Sequence, residues 1–293
     1  SSLDFETDFF FSNINKPHLS FDFLLPMSQD RDISSLIINQ TFKIYKSNSS
    51  LSSSIKLTKK QLEKFRITLC KYLYQRYQQT LQIEDDLLVQ YELYRDIVPE
   101  LTIYNNSIEE HSQYKIQYLI IKCANNRLIS RQVFIFVSND DDFTLVLNRI
   151  TNHPSINEYI LELLEDINDY PLIIKPLDLP DYLIPNLVDQ LGNKLDSLGD
   201  LQLVYSSSTS NRLRNFIIDI PKNDLPKLSS DGKLYQDIVK FMYNNTKIKF
   251  EKLRIEKFIN NLINIASDGK FKLIINDNQL IWFLIESIKS SLQ

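Results

Sequence analysis

Glycine is scarce in this chain, with four in 293 residues. Loops that wrap a phosphate in backbone N–H groups need glycine for close approach. The shortage therefore argues against a P-loop or a dinucleotide-binding turn. Cysteine is limited to Cys70 and Cys123, far apart and set in apolar patterns. Both read as buried free thiols in a reducing compartment, a disulfide being the alternative. The three histidines, His18, His111 and His153, share no metal-ligand spacing. No G-x-S-x-G, H-E-x-x-H or Cys–His nucleophile pattern occurs. Carboxylates converging from distant positions would leave no such mark, but they give an enzyme hypothesis no residue to name. No apolar run approaches the ~20 residues of a membrane-spanning helix. The opening SSLDFETDFFF is acidic and aromatic and has no basic leader, so it does not read as a signal peptide. The expectation is a protein without catalytic activity, metal, cofactor or membrane segment.

What is present is ordinary globular material: 43% hydrophobic and 24% charged residues. The length suits one large or two modest domains. The net charge of −4 hides strong unevenness. Residues 43–76 hold nine Lys or Arg against one acid, a net of +8. Residues 140–200 hold three against thirteen, a net of −10, and residues 212–257 hold eleven against six, a net of +5. The acidic runs at 84–86 and 140–142 read as helix-start residues favoured by the dipole rather than as cation sites.

Along the chain, Phe5, Phe9, Phe10 and Phe11 sit among acids and either pack on the body or dock on a partner. Phe21, Phe23 and Leu25 alternate, as do Phe42 and Ile44, which predicts short strands. Thr58 and Gln61 form a capping box opening a helix whose apolar stripe is Leu62, Phe65, Leu69, Tyr72, Leu73, Tyr77 and Leu81. A second helical stretch covers residues 84–98. Residues 114–121 and 133–137 read as central strands joined by a turn at Asn125-Asn126. Helices are expected through Leu145, Leu147 and Ile150, over residues 156–167, and over 183–191. A short strand lies between Pro171 and Pro176. Residues 195–200 form a candidate joint, dividing an N-terminal portion (1–197) from a C-terminal portion (198–293). After it, a helix is expected over 256–266 and a strand over 271–275. Asp277 caps a last helix, in which residues 281–285 are apolar all round.

The stretch 201–254 carries the most information. Leu201, Leu203 and Tyr205 alternate, as do Phe216, Ile218 and Ile220, with a Ser-rich hairpin loop between them and Pro221 as a stop. A helix follows through Leu234, Ile238, Phe241 and Met242, capped by Ser230 or Asp231 and ending near Asn244-Asn245. Ile248, Phe250 and Leu253 then predict a third strand. The series Arg214-x-Phe216-x-Ile218-x-Ile220-Pro221, Tyr235, Asp237, Ile238-Val239, Tyr243-Asn244-x-Thr246 and Glu251-x-Leu253 resembles the centromere protein L family. Weaker similarity extends upstream through residues 133–137 and 145–147. The connector between Pro221 and Tyr235 departs from the family in length and content.

The resemblance implies an α+β fold of curved, mostly antiparallel sheet covered by helices, as in the recombination-associated RdgC proteins and in centromere proteins N and L. It implies a non-enzymatic structural subunit of the inner kinetochore, in the nucleus at the centromere. Its expected partners are a centromere protein N homologue, other inner-kinetochore subunits, and the centromeric nucleosome and DNA through the complex. Members can also self-associate.

Two sets of residues stand out beside it. The basic helix face (Lys56, Lys59, Lys60, Lys64, Arg66 and Lys71) is a candidate contact for DNA phosphates, with plain solvation as the alternative. The alternative function resting on that face is a stand-alone DNA-binding protein. Ile248, Lys249, Phe250 and Leu253 are the candidate partner-binding strand, since an edge interleaved with charges can still be extended by a partner. Coverage of the protein's own core is the alternative there.

Overall fold

The computed structural model describes residues 33–48, 57–81, 101–111, 114–123, 129–139, 143–168, 171–206, 215–229 and 232–292. Expectations for the N-terminal phenylalanines, His18, Lys56, the helix at 84–98, the turn at Asn125-Asn126 and the acidic run at 140–142 lie outside them. So do those for the Ser-rich hairpin loop, Arg214, and Ser230 and Asp231. The architecture is α+β, and its centre is one antiparallel sheet.

Short helix α1 (Ile33–Ile37) leads into β1 (Thr41–Ser47) and the long helix α2 (Lys59–Leu81). A meander follows: β2 (Thr102–His111), β3 (Tyr114–Lys122), β4 (Gln132–Ser138) and β5 (Thr144–Arg149). Next come α3 (Pro154–Ile167), β6 (Ile174–Pro176), α4 (Leu183–Leu191) and the short α5 (Leu195–Leu198). The hairpin β7 (Leu201–Ser206) and β8 (Asn215–Ile220) precedes α6 (Leu225–Leu228) and α7 (Leu234–Thr246). The chain closes with β9 (Ile255–Ile259), β10 (Ile263–Ala266), β11 (Lys270–Leu273) and α8 (Asn278–Ser290).

The strands join in the order β2-β3-β4-β5-β1-β11-β10-β9-β7-β8, with β6 paired to β1 off this path. β1 therefore sits mid-sheet, antiparallel to β5 on one side and to β11 on the other. The ladder crosses the expected boundary between residues 197 and 198 at the β1–β11 pairing.

Two apolar layers form on the two faces. One face of β3, β4 and β5 places Leu119, Ile121, Phe134, Phe136 and Val146 under α2 and α3. The other face joins Ile116, Ile120, Ile135, Leu145 and Leu147 to the C-terminal strands under α1, α4, α7 and α8. Strand β4 is buried at all seven positions, which is why 133–137 reads as an unbroken apolar run. Residues 281–285 lie within α8; Ile281, Trp282, Leu284 and Ile285 are buried on the sheet, and Trp282 stacks on Tyr114 at 6.0 Å. Their apolar character serves the protein's own core.

Three sequence expectations are corrected. Residues 144–149 are a strand, not a helix: Leu145 and Leu147 pack on one layer and Val146 on the other. A strand buried on both faces cannot be told from a helix segment by periodicity. Residues 256–266 are the hairpin β9–β10 rather than a helix. A β-bulge explains the misleading spacing. Ile255 pairs with Tyr205 and Phe258 with Leu203, so two core residues stand three apart instead of two. The turn is held by Asn260, whose Oδ1 accepts from the N–H groups of Leu262 (2.7 Å) and Ile263 (3.2 Å). The third correction, at 247–254, concerns a candidate site.

Candidate functional site

Residues 247–254 do not form a strand. Lys247 adopts φ 62° and ends α7, its N–H bonding to Tyr243 O at 2.9 Å. A 3-10 turn, Phe250–Lys252, follows. Phe250 N bonds to Ile248 O and Leu253 N to Phe250 O, so these backbone groups are satisfied locally rather than by a ladder. The alternation of Ile248 and Phe250 has a different cause. Phe250 is buried, edge-on to Tyr205 at 5.1 Å and to Phe216 at 6.0 Å, and locks the turn onto the β7–β8 hairpin. Leu253 is half-buried, while Ile248 and Lys249 are exposed. The third strand of the hairpin–helix–strand unit is β9, beside β7.

The start of α7 is held from another helix. The N-cap position is Lys233, which makes no side-chain cap bond. Asp189 of α4 supplies the acceptor instead: its Oδ1 takes the Tyr235 N–H at 2.7 Å. A polar cleft of about 620 Å³ opens beside this contact, with Asn186, Gln190 and Asn193 in its wall.

Among the described residues no group of three or more His, Cys, Asp or Glu is placed to hold a metal. Cys70 and Cys123 are buried and form no disulfide, and burial pushes the Cys70 thiol up to about 11 despite the nearby Arg66. No helix of the described residues is long and apolar enough to cross a membrane.

Helix α2 sets four of the expected basic residues at the surface. The capping box closes in both directions: Gln61 N donates to Thr58 Oγ1 at 3.2 Å, and Thr58 N to Gln61 Oε1 at 2.9 Å. Phe65, Leu69 and Leu73 turn into the core. Tyr72 stacks on Tyr159 at 3.7 Å, and Arg76 donates to Ser155 Oγ at 2.6 Å, so α3 pins α2. Lys59, Lys60, Lys64 and Lys71 are exposed, and Arg66 is half-buried. Lys60, Lys64 and Lys71 fall on one line of the helix, at i, i+4 and i+11.

A second basic surface was not foreseen. Helices α2 and α3 cover β3, β4 and β5, but no helix of the described residues covers the same face of the C-terminal strands. Register places Lys43 opposite Lys270 and Thr41 opposite Lys272. Asn264 lies opposite both Lys272 and Ile259, and Lys257 opposite both Ala266 and Val204. Lys257 and Lys270 are exposed, Lys43 and Lys272 half-exposed. The sequence signal was Lys270-Phe271-Lys272-Leu273, in which lysines alternate with core residues. Its meaning depends on strands distant in sequence.

Among the described strands this face runs out to β8, an edge of the sheet. Ser206 N donates to Arg254 O on the β9 side of β7. By the alternation of an antiparallel ladder, Leu203 and Tyr205 turn their polar groups to Ile218 and Phe216 of β8. The N–H and C=O groups of Asn215, Ile217 and Asp219 therefore point outward from the sheet. The Ile217 side chain is 58% exposed, the highest value among the large apolar residues described. Asp219 is the only charge on this edge strand, and it accepts from Gln202 Nε2 at 2.7 Å. The edge thus carries little of the charge that keeps exposed strands from pairing. No family model and no curated protein matches this chain.

Proposed function

We propose that this chain is a non-enzymatic structural subunit of the inner kinetochore, pairing with a centromere protein N homologue through the edge of β8. The network around it would hold the centromeric nucleosome and its DNA. The observation that carries the reading is the outward-facing backbone of Asn215, Ile217 and Asp219 beside an exposed Ile217. A partner strand can extend such an edge by main-chain hydrogen bonds, with Ile217 contributing apolar contact. The residue series shared with the centromere protein L family supports the choice of partner, and most of that series builds the β7–β8 hairpin and α7. A curved sheet like that of the RdgC proteins is part of the same reading.

The test is co-purification with the centromere protein N homologue. Ile217→Pro removes an outward N–H and should abolish the complex while the far-ultraviolet circular dichroism stays unchanged. A folded variant that still forms the complex would place the interface elsewhere. Failure of the unaltered chain to bind any such homologue would end the kinetochore reading.

A second reading of the same edge rests on its symmetry. Antiparallel pairing of two copies about Ile217 sets Ile217 against itself and each Asp219 against an Asn215, so no like charges meet. A dimer in sedimentation that Ile217→Pro converts to monomer would support self-association.

A further inference from the structure

We infer that the exposed end of α7 and the turn after it form a docking surface for an acidic segment of a partner protein that carries apolar side chains. Residues 240–249 are all exposed except Met242, which is half-buried. Three of them are large and apolar: Phe241 is 50% exposed, Tyr243 40% and Ile248 37%. Phe241 and Tyr243, two positions apart, leave opposite sides of the helix, so with Ile248 on the turn they surround its exposed end rather than form one patch. Single exposed apolar residues need no explanation, but three around one protruding end give a partner segment several apolar contacts. Local bonds already satisfy the backbone here. Lys247 caps the helix, Thr246 Oγ1 accepts from Ile248 N at 3.2 Å, and the 3-10 turn closes on itself. Buried Phe250 anchors the turn to the hairpin. The surface is therefore built on fixed backbone.

Charge decides the occupant. Residues 240–254 hold five Lys or Arg against one acid, Glu251, and Arg254 is already paired with Asp181 at 3.2 Å, which leaves a net of +3. A second copy would bring the same sign to a symmetric contact, which complementarity disfavours. A phosphate backbone would satisfy Lys240, Lys249 and Lys252 but has nothing to cover Phe241 or Ile248. An acidic segment with apolar side chains matches both features. The surface is separate from the β8 edge and does not rest on the kinetochore reading.

The probe is a fluorescein-labelled synthetic peptide in which aspartates flank a Phe-Phe pair, with an asparagine counterpart, measured by fluorescence anisotropy on the full chain. The aspartate peptide should bind, more weakly as salt rises, and the asparagine peptide should not. Phe241→Ser and Lys249→Glu, both at exposed positions, should each weaken binding about tenfold. Ile217→Pro should leave it unchanged, which keeps this test apart from that of the sheet edge. Equal binding by the unaltered chain and both variants, or no binding at all, would overturn the proposal. So would a DNA duplex that binds more tightly than the peptide and loses affinity in the same variants.

Discussion

Lys43 and Lys270 stand directly opposite each other where β1 meets β11. Ammonium groups so placed repel, and Asp268 relieves them. Its Oδ2 lies 2.8 Å from Lys270 Nζ, and its Oδ1 accepts from Lys270 N at 3.2 Å. Burial by itself would raise this carboxyl. The bonds from Lys270 and the charges of Lys270 and Lys43 outweigh it and hold Asp268 below its ordinary value. The contact ties a strand near the N-terminal end of the sheet sequence to the last strand.

Asp268→Asn should therefore lower stability at neutral pH, by less than about 1 kcal/mol because the pair is half-exposed and screened. A carboxyl lowered by folding stabilises above its unfolded pKa, about 3.9, and that contribution is lost as pH falls through the folded value. Urea unfolding at pH 7 and at acid pH below that value should show the gap between wild type and variant closing. A gap independent of pH would refute this role.

Asp277 gives a larger effect. A hydrogen bond from Lys194 is the main cause of its lowered pKa, burial opposes it, and the Leu280 and Gln279 N–H groups add to the lowering. It caps α8, accepting from Gln279 N at 3.0 Å and Leu280 N at 3.2 Å. Asp277→Ala should cost about 1–2 kcal/mol at pH 7, and Lys194→Ala less. Both effects should fade as pH falls through the lowered Asp277 value, read by denaturant titration.

Gly269 turns the chain between β10 and β11 at φ 83°, and an added Cβ would lie 2.3 Å from Leu177 O. Gly269→Ala should cost about 1–3 kcal/mol or more. Gly232, also at positive φ but with its nearest neighbour at 3.6 Å, serves as the comparison and should cost less. Equal melting shifts for the two would mean that backbone conformation alone sets the penalty.

Phe250 and Ile248 should behave in opposite ways. Phe250→Ala empties a site between Tyr205 and Phe216 and should cost about 3–5 kcal/mol. Ile248→Ala, at an exposed position, should stay within about 0.5 kcal/mol. Thermal melts of the two variants separate a core role from a surface one.

Two basic surfaces can be compared on duplex DNA. Reversal of Lys60, Lys64 and Lys71 to Glu leaves the apolar stripe of α2 intact, so the fold should survive. The salt slope of binding should fall by about 0.9 for each phosphate that is no longer neutralised. Lys257→Glu with Lys272→Glu probes the basic sheet face without disturbing the Lys270–Asp268 pair. An unchanged slope in both sets would dismiss direct DNA binding by either surface.

Local chemistry decided much of this protein in advance. The Thr58–Gln61 box, the Asp277 cap, the stripe of α2 and the alternation of β7 and β8 use neighbours within a few residues, so spacing alone reveals them. Spacing failed wherever distant chain supplied the partner. The bulge that separates Ile255 from Phe258 by three residues exists because β9 must match β7, and it imitates a helical period. Phe250 alternates with Ile248 although no strand is there, because two aromatic rings from the hairpin receive it. Asp189 caps a helix that starts more than forty residues later. The lysines of β1, β9 and β11 become one surface only through ladder register, which a single-residue slip would reverse. The sheet order made β8 an edge and buried β1 in the middle. That order follows from which apolar faces can be covered together, a property of the whole chain rather than of any stretch of it.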